Sequence, residues 1–113
     1  DRTWKIPESS EGFASIAAKE ALSSTPRPNV LLCMSDLIAL AAMREALKMG
    51  LSVPEDVRIV GFDGIDEGQR FVPKLTTVHQ NSEEKGRIAA TLFLSKEQKT
   101  TEIDYQLQLG QSS

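Results

Sequence analysis

The sequence predicts an α/β fold: a parallel sheet flanked by helices. Three observations carry that prediction. Short apolar runs of strand length alternate along the chain with segments of helical period. The run from Val57 to Phe62 ends in Asp63-Gly64, the way an α/β protein presents a carboxylate at the carboxyl end of a strand, where ligands bind. Strands separated by helices also require crossover connections, which make neighbouring strands parallel with helices packed on the sheet.

Each element has a local reason. Thr3 to Ile6 can form a short strand, after which Ser9 or Ser10 caps a helix running to about Leu22, with Phe13, Ile16, Ala17 and Ala21 on one side. Ser23 to Pro28 is rich in breakers and reads as a loop. Asn29 to Met34 is a strand-length run, followed by Ser35 as the N-cap of a helix whose first acid, Asp36, suits the positive helix end. That helix should stop at Gly50, and Val53 to Asp56 should turn into the buried strand Val57 to Phe62. Gly64 to Pro73 is a loop with room for one helical turn, and Leu75 to His79 is a further strand. Asn81-Ser82-Glu83-Glu84 offers a capping box for a helix reaching Ser95. Thr101 to Gly110 alternates Ile103, Tyr105, Leu107 and Leu109 with polar residues, as an edge strand with one wet face does.

Composition narrows the function. The 113 residues fit one domain, and 13 basic against 16 acidic residues give a net charge of -3 with no basic cluster that would contact DNA. The longest apolar stretch, Leu37 to Met43, is far short of the roughly 18 residues a membrane span needs. The single cysteine, Cys33, has no internal disulfide partner, which agrees with a reducing compartment. Because the chain begins at Asp1 rather than Met, it is expected to be a piece of a longer polypeptide.

The Ser35–Gly50 helix has apolar residues over an arc of about 200°, whereas a helix lying on one sheet needs a stripe of about 100°. A second partner is implied. It is either another helix of the same domain or a subunit interface in which Leu40, Met43 and Leu47 meet their symmetry mates.

Four fragments in order carry a family resemblance. They are Ser35-Asp36 with Leu37-Ile38-Ala39-Leu40 and Ala42-Met43-Arg44; Gly50-Leu51-Ser52-Val53-Pro54-Glu55-Asp56-Val57; Gly61-Phe62-Asp63; and Pro73-Lys74-Leu75-Thr76-Thr77-Val78-His79-Gln80. Over about residues 6 to 110 the chain resembles the effector-binding core of the lactose-repressor/galactose-repressor (LacI/GalR) family of bacterial transcriptional regulators.

The resemblance implies a helix-turn-helix headpiece that binds operator DNA and a two-lobed, periplasmic-binding-protein-like (type I) core that senses a sugar or nucleobase. Residues 1–113 are similar to the carboxyl-terminal lobe only, so the headpiece and most of the amino-terminal lobe would lie upstream. In that family the stretch after Leu-Thr-Thr supplies a helix of the other lobe, here residues 82–96, and returns as a terminal strand. Parted from its usual sheet, that helix is expected to associate or the carboxyl terminus to rearrange. A homodimer in the cytoplasm, free of metal and cofactor, is the implied state.

Ligand residues follow position by position. Asp63 matches the carboxylate that accepts from sugar hydroxyls or a base N–H. Ser35 falls where a polar residue reaches the ligand, or is simply an N-cap, and Gln80 matches a polar position at the lobe crossover. Pro7 stands where an aromatic ring often stacks, beside the polar Glu8, and Gly64 replaces a second acid; both departures point to an unusual effector site.

Other readings of the same residues remain. Asp63 could merely close a turn through backbone N–H groups. As an enzyme nucleophile it would need a metal and a phosphate loop, and no Gly-rich loop or suitably placed lysine is present. His79 is a lone histidine without partners at metal-ligand spacing, and Cys33 is a small apolar thiol. The expected function is therefore an effector-binding and dimerisation lobe rather than an enzyme, with a secreted solute-binding protein of the same fold as the alternative.

Overall fold

The computed structural model describes residues 2–113. Its elements run α1 (Glu11–Ser23), β1 (Val30–Leu32), α2 (Asp36–Lys48), β2 (Arg58–Asp63), α3 (Asp66–Arg70), β3 (Thr76–Gln80), α4 (Ser82–Ser95) and β4 (Tyr105–Gln108). They build one four-stranded sheet in the order β1-β2-β3-β4. The first three strands are parallel, and β4 returns antiparallel beside β3. The α/β reading and its parallel core are thereby shown.

Local chemistry sets most boundaries as expected. Ser35 caps α2, its hydroxyl accepting from the Ile38 N–H at 3.3 Å. Asn81, the first residue of the expected capping box, caps α4 by accepting from the Glu84 N–H at 3.0 Å. Gly50, just past α2, has φ +75°, a left-handed turn that ends helices at little cost for glycine.

Three expectations about α1 and the terminal strands fail. Thr3 to Ile6 forms no strand. The inner face of α1 is Ala14, Ala18, Ala21 and Leu22, while Phe13 and Ile16 point outward. Small side chains at an i, i+4 spacing let α1 lie close on α2, so the alanine stripe wins over the bulkier residues. The apolar side of β4 is not covered: Leu107 is 60% exposed.

The core lies between α1, α2 and one face of the sheet. Ala39, Leu40, Ala42, Met43 and Ala46 of α2 meet Leu22 of α1, Ile59 of β2, and Val57 and Leu75, which immediately precede β2 and β3. The surplus apolar surface of α2 is thus taken up by α1. Leu40 is 2% and Met43 0% exposed, so neither can form the subunit contact expected of it; Leu47, 44% exposed, alone remains available.

The opposite sheet face, carrying Leu32, Phe62 and Leu107, stays open, and α4 buries no residue at all. The radius of gyration, 16.3 Å, accordingly exceeds the roughly 13 Å of a compact chain of similar length. The carboxyl terminus is not rearranged away from the sheet, since β4 completes its edge and the last residues return to β2 and β3. Ser112 is wholly buried there. Its hydroxyl donates to the Ile59 carbonyl at 2.6 Å and accepts from the Thr76 N–H at 2.8 Å. Its backbone oxygen accepts from the Ile59 N–H at 2.7 Å.

Candidate functional site

The three parallel strands end side by side. β1 runs out through Cys33 and Met34 to Ser35, β2 ends at Asp63 and β3 at Gln80. The carboxyl edge of the sheet therefore collects Ser35, Asp63 and Gln80, with the positive amino end of α2 at the same edge.

Asp63 and Gln80 are joined directly. The Gln80 side-chain amide donates to the Asp63 carboxylate at 3.2 Å, and both residues are half-buried. This bond occupies one of the carboxylate's several lone-pair sites and leaves acceptor capacity free. Asp63 also has φ +126°, a backbone conformation rare for a residue with a side chain. Such backbone strain costs of order 1–3 kcal/mol and persists only where surrounding structure enforces it.

Next to this turn lies Asp36, fully buried at the start of α2. One carboxylate oxygen accepts from the Gly64 and Ile65 N–H groups, each at 2.8 Å, and the other from the Thr77 hydroxyl at 2.5 Å. Two glycines make the arrangement possible. A side chain on Gly61 would strike the Asp36 carboxylate, and one on Gly64 would strike the His79 ring. Gly64 has φ +82° in addition. The turn-closing role considered for Asp63 thus falls to Asp36.

The remaining sequence candidates divide. Ser35 sits at the correct edge, but its oxygen serves the helix cap. Pro7 and Glu8 lie in the exposed segment before α1, and no hydrogen bond ties either to Asp63 or Gln80 among the described residues. His79 lies across from Asp63 in register, with Nδ1 3.3 Å from the Gly64 carbonyl oxygen. Cys33, on the way into the site, has its thiol pushed up to about 12 from 9.0 by burial and, secondarily, by the nearby Asp36 carboxylate. It is unreactive at neutral pH. Asp36 escaped sequence reasoning because a helix-start acid is normally a surface residue. The glycine two residues before Asp63 was the available signal.

A family model for the periplasmic binding protein-like domain matches residues 2–110. The chain belongs to that family. Within the periplasmic-binding-protein-like family its relatives are LacI-type regulators, as the motifs implied. It is 37% identical over 83 residues to the HTH-type transcriptional repressor PurR of Aliivibrio salmonicida (strain LFI1238), covering 74% of this chain and 25% of that one. Its fold is similar to a putative LacI-family regulator from Sanguibacter keddieii DSM 10542, with a TM-score of 0.88, 26% identity and coverage of 95% and 43% of the two chains. A LacI-family regulator from Arthrobacter sp. FB24, solved in complex with lactose, superposes with a TM-score of 0.80 at 27% identity, over 93% of this chain and 42% of that one. The chain therefore spans a minor part of each relative's length.

Proposed function

We propose that this chain is the carboxyl-terminal effector-binding lobe of a LacI-type transcriptional regulator, and that Asp63 is the residue that meets the effector. The observation that carries this reading is the Gln80–Asp63 hydrogen bond at the shared end of two parallel strands, which leaves a carboxylate with unused acceptors at the edge where α/β folds take ligands. A sugar or nucleobase, with several hydroxyl or N–H donors, suits that site, and one LacI-family neighbour is complexed with lactose. The relatives are transcriptional repressors rather than enzymes or transport proteins, which favours a sensor over a phosphoryl-transfer enzyme or a secreted solute-binding protein.

A second lobe would close on the Asp63 edge, and α4 would belong to its packing. The absence of any buried residue on α4, with Phe93 82% exposed, supports α4 as the crossover helix over residues 82–96. Pro7 and Glu8 would join the site on closure. Effector held between the lobes favours one closure angle, and a homodimer that includes Leu47 carries that angle to headpieces on operator DNA in the cytoplasm. Coupling of this kind requires the effector to bind one closure state better than the other.

The test is a thermal-shift screen of lactose, sucrose, adenine and guanine on the full-length protein. One class should raise the melting temperature with concentration, as mass action requires of a ligand specific for the folded state. Flat responses to both sugars and both bases would end the proposal.

A further inference from the structure

We infer that Asp36 is the positioning residue of this site: its carboxylate holds the Gly64–Ile65 backbone and so keeps Asp63 in the conformation that presents its side chain at the strand edge. The inference rests on Asp63 as the effector contact, but its test does not involve effector.

Three observations converge on it. First, Asp36 bonds outside its own helix. Its partners Gly64, Ile65 and Thr77 lie 28, 29 and 41 residues away, on the loop after β2 and on β3. A carboxylate that only complemented the dipole of α2 would instead face that helix's own free N–H groups or water. Second, the wholly buried Asp36 carboxylate forms no ion pair among the described residues, so its three hydrogen bonds from other elements are what satisfy its oxygens. Losing any one of them is expensive, and that makes the joint stiff. Third, the two amides it grips directly follow Asp63, whose φ of +126° needs enforcement.

The consequence reaches beyond the loop. Because Asp36 opens α2, the backbone that carries Asp63 is fastened to the first turn of the helix that forms the centre of the core.

The test is solution NMR of the isotopically labelled chain, comparing the parent with Asp36→Ala and Asp36→Asn. A φ of +126° puts the Asp63 HN–Hα torsion near a minimum of the three-bond coupling, which is therefore small. In Asp36→Ala this coupling should rise to the large value of an extended residue while the amide dispersion of β2 and β3 persists. Asn, whose amide oxygen can still accept from Gly64 and Ile65, should restore the small coupling. A residue important only for stability would leave the Asp63 coupling alone in any folded variant, so an unchanged coupling in folded Asp36→Ala overturns the proposal. If the Ala variant does not fold, the Asn variant decides. Upfield movement of the Gly64 and Ile65 amide protons, as a charged acceptor becomes neutral, supports the assignment, and unmoved protons overturn it.

Discussion

Gln80 donates a 3.2 Å hydrogen bond to Asp63, joining the carboxyl ends of β3 and β2 across a parallel pair. The two side chains thereby fix one another on the sheet edge and leave the carboxylate able to accept more. Asp63→Asn should preserve this bond, because the Asn oxygen can still accept from Gln80, while removing the charge. Effector affinity should fall by about 1.5–3 kcal/mol, the usual worth of a hydrogen bond to a charged group, with an unchanged melting temperature without effector. Calorimetric titration of the parent and the variant checks both.

Met43 separates a core role from an interface role. At 0% exposure between α1 and the sheet, it should cost about 2–5 kcal/mol of stability when cut to alanine, with no direct effect on subunit association. Leu47→Glu should do the reverse, changing the mass seen by light scattering with little change in unfolding by urea. Dissociation caused by Met43→Ala in a fully stable chain would return Met43 to the interface.

Ser112 links the last residues of the chain to both β2 and β3 from a fully buried position. Ser112→Ala leaves the Thr76 N–H and the Ile59 carbonyl each short of a partner, a loss of about 1–3 kcal/mol. Hydrogen exchange should speed up at Thr76 well before it does at Val78. Equal protection at Thr76 in parent and variant would show that the tail adds nothing to the sheet.

Cys33 sets an alkaline limit. Burial holds its thiol at about 12 in the folded chain against an ordinary 9.0, so the folded state binds the proton more tightly than the unfolded state does. The stability this confers is complete below pH 9 and declines as pH rises from 9 toward 12. At pH 8 the folded chain should react with a thiol-specific reagent about a thousandfold more slowly than the urea-unfolded chain, in line with its smaller thiolate fraction. Comparable rates in the two states would mean that the thiol is accessible.

Legibility in the sequence followed the range of the interactions. Residues 82–95 were readable as a helix because capping by Asn81 and helical period are both local. Asp63 was readable because an apolar run that stops at Asp-Gly carries its own strand end, and because the family motif marks it. The face of α1 was misread because Phe13 and Ile16 outweigh Ala14 and Ala18 in hydrophobicity, whereas close packing on α2 rewards small size. Ser112 gave no local signal, since its partners Ile59 and Thr76 lie 53 and 36 residues away.

What the sequence by itself determined is the alternation of strands and helices from Ser10 onward, the parallel core and the carboxylate at the end of β2, all consequences of period, caps and turns within a few residues. Only the tertiary structure decided that Leu40 and Met43 face inward, that Ser112 closes the far end of the sheet and that Asp36 governs Asp63. Each of these depends on which distant atoms come within hydrogen-bond or contact distance. That is set by how the layers pack, and short-range patterns carry no record of it.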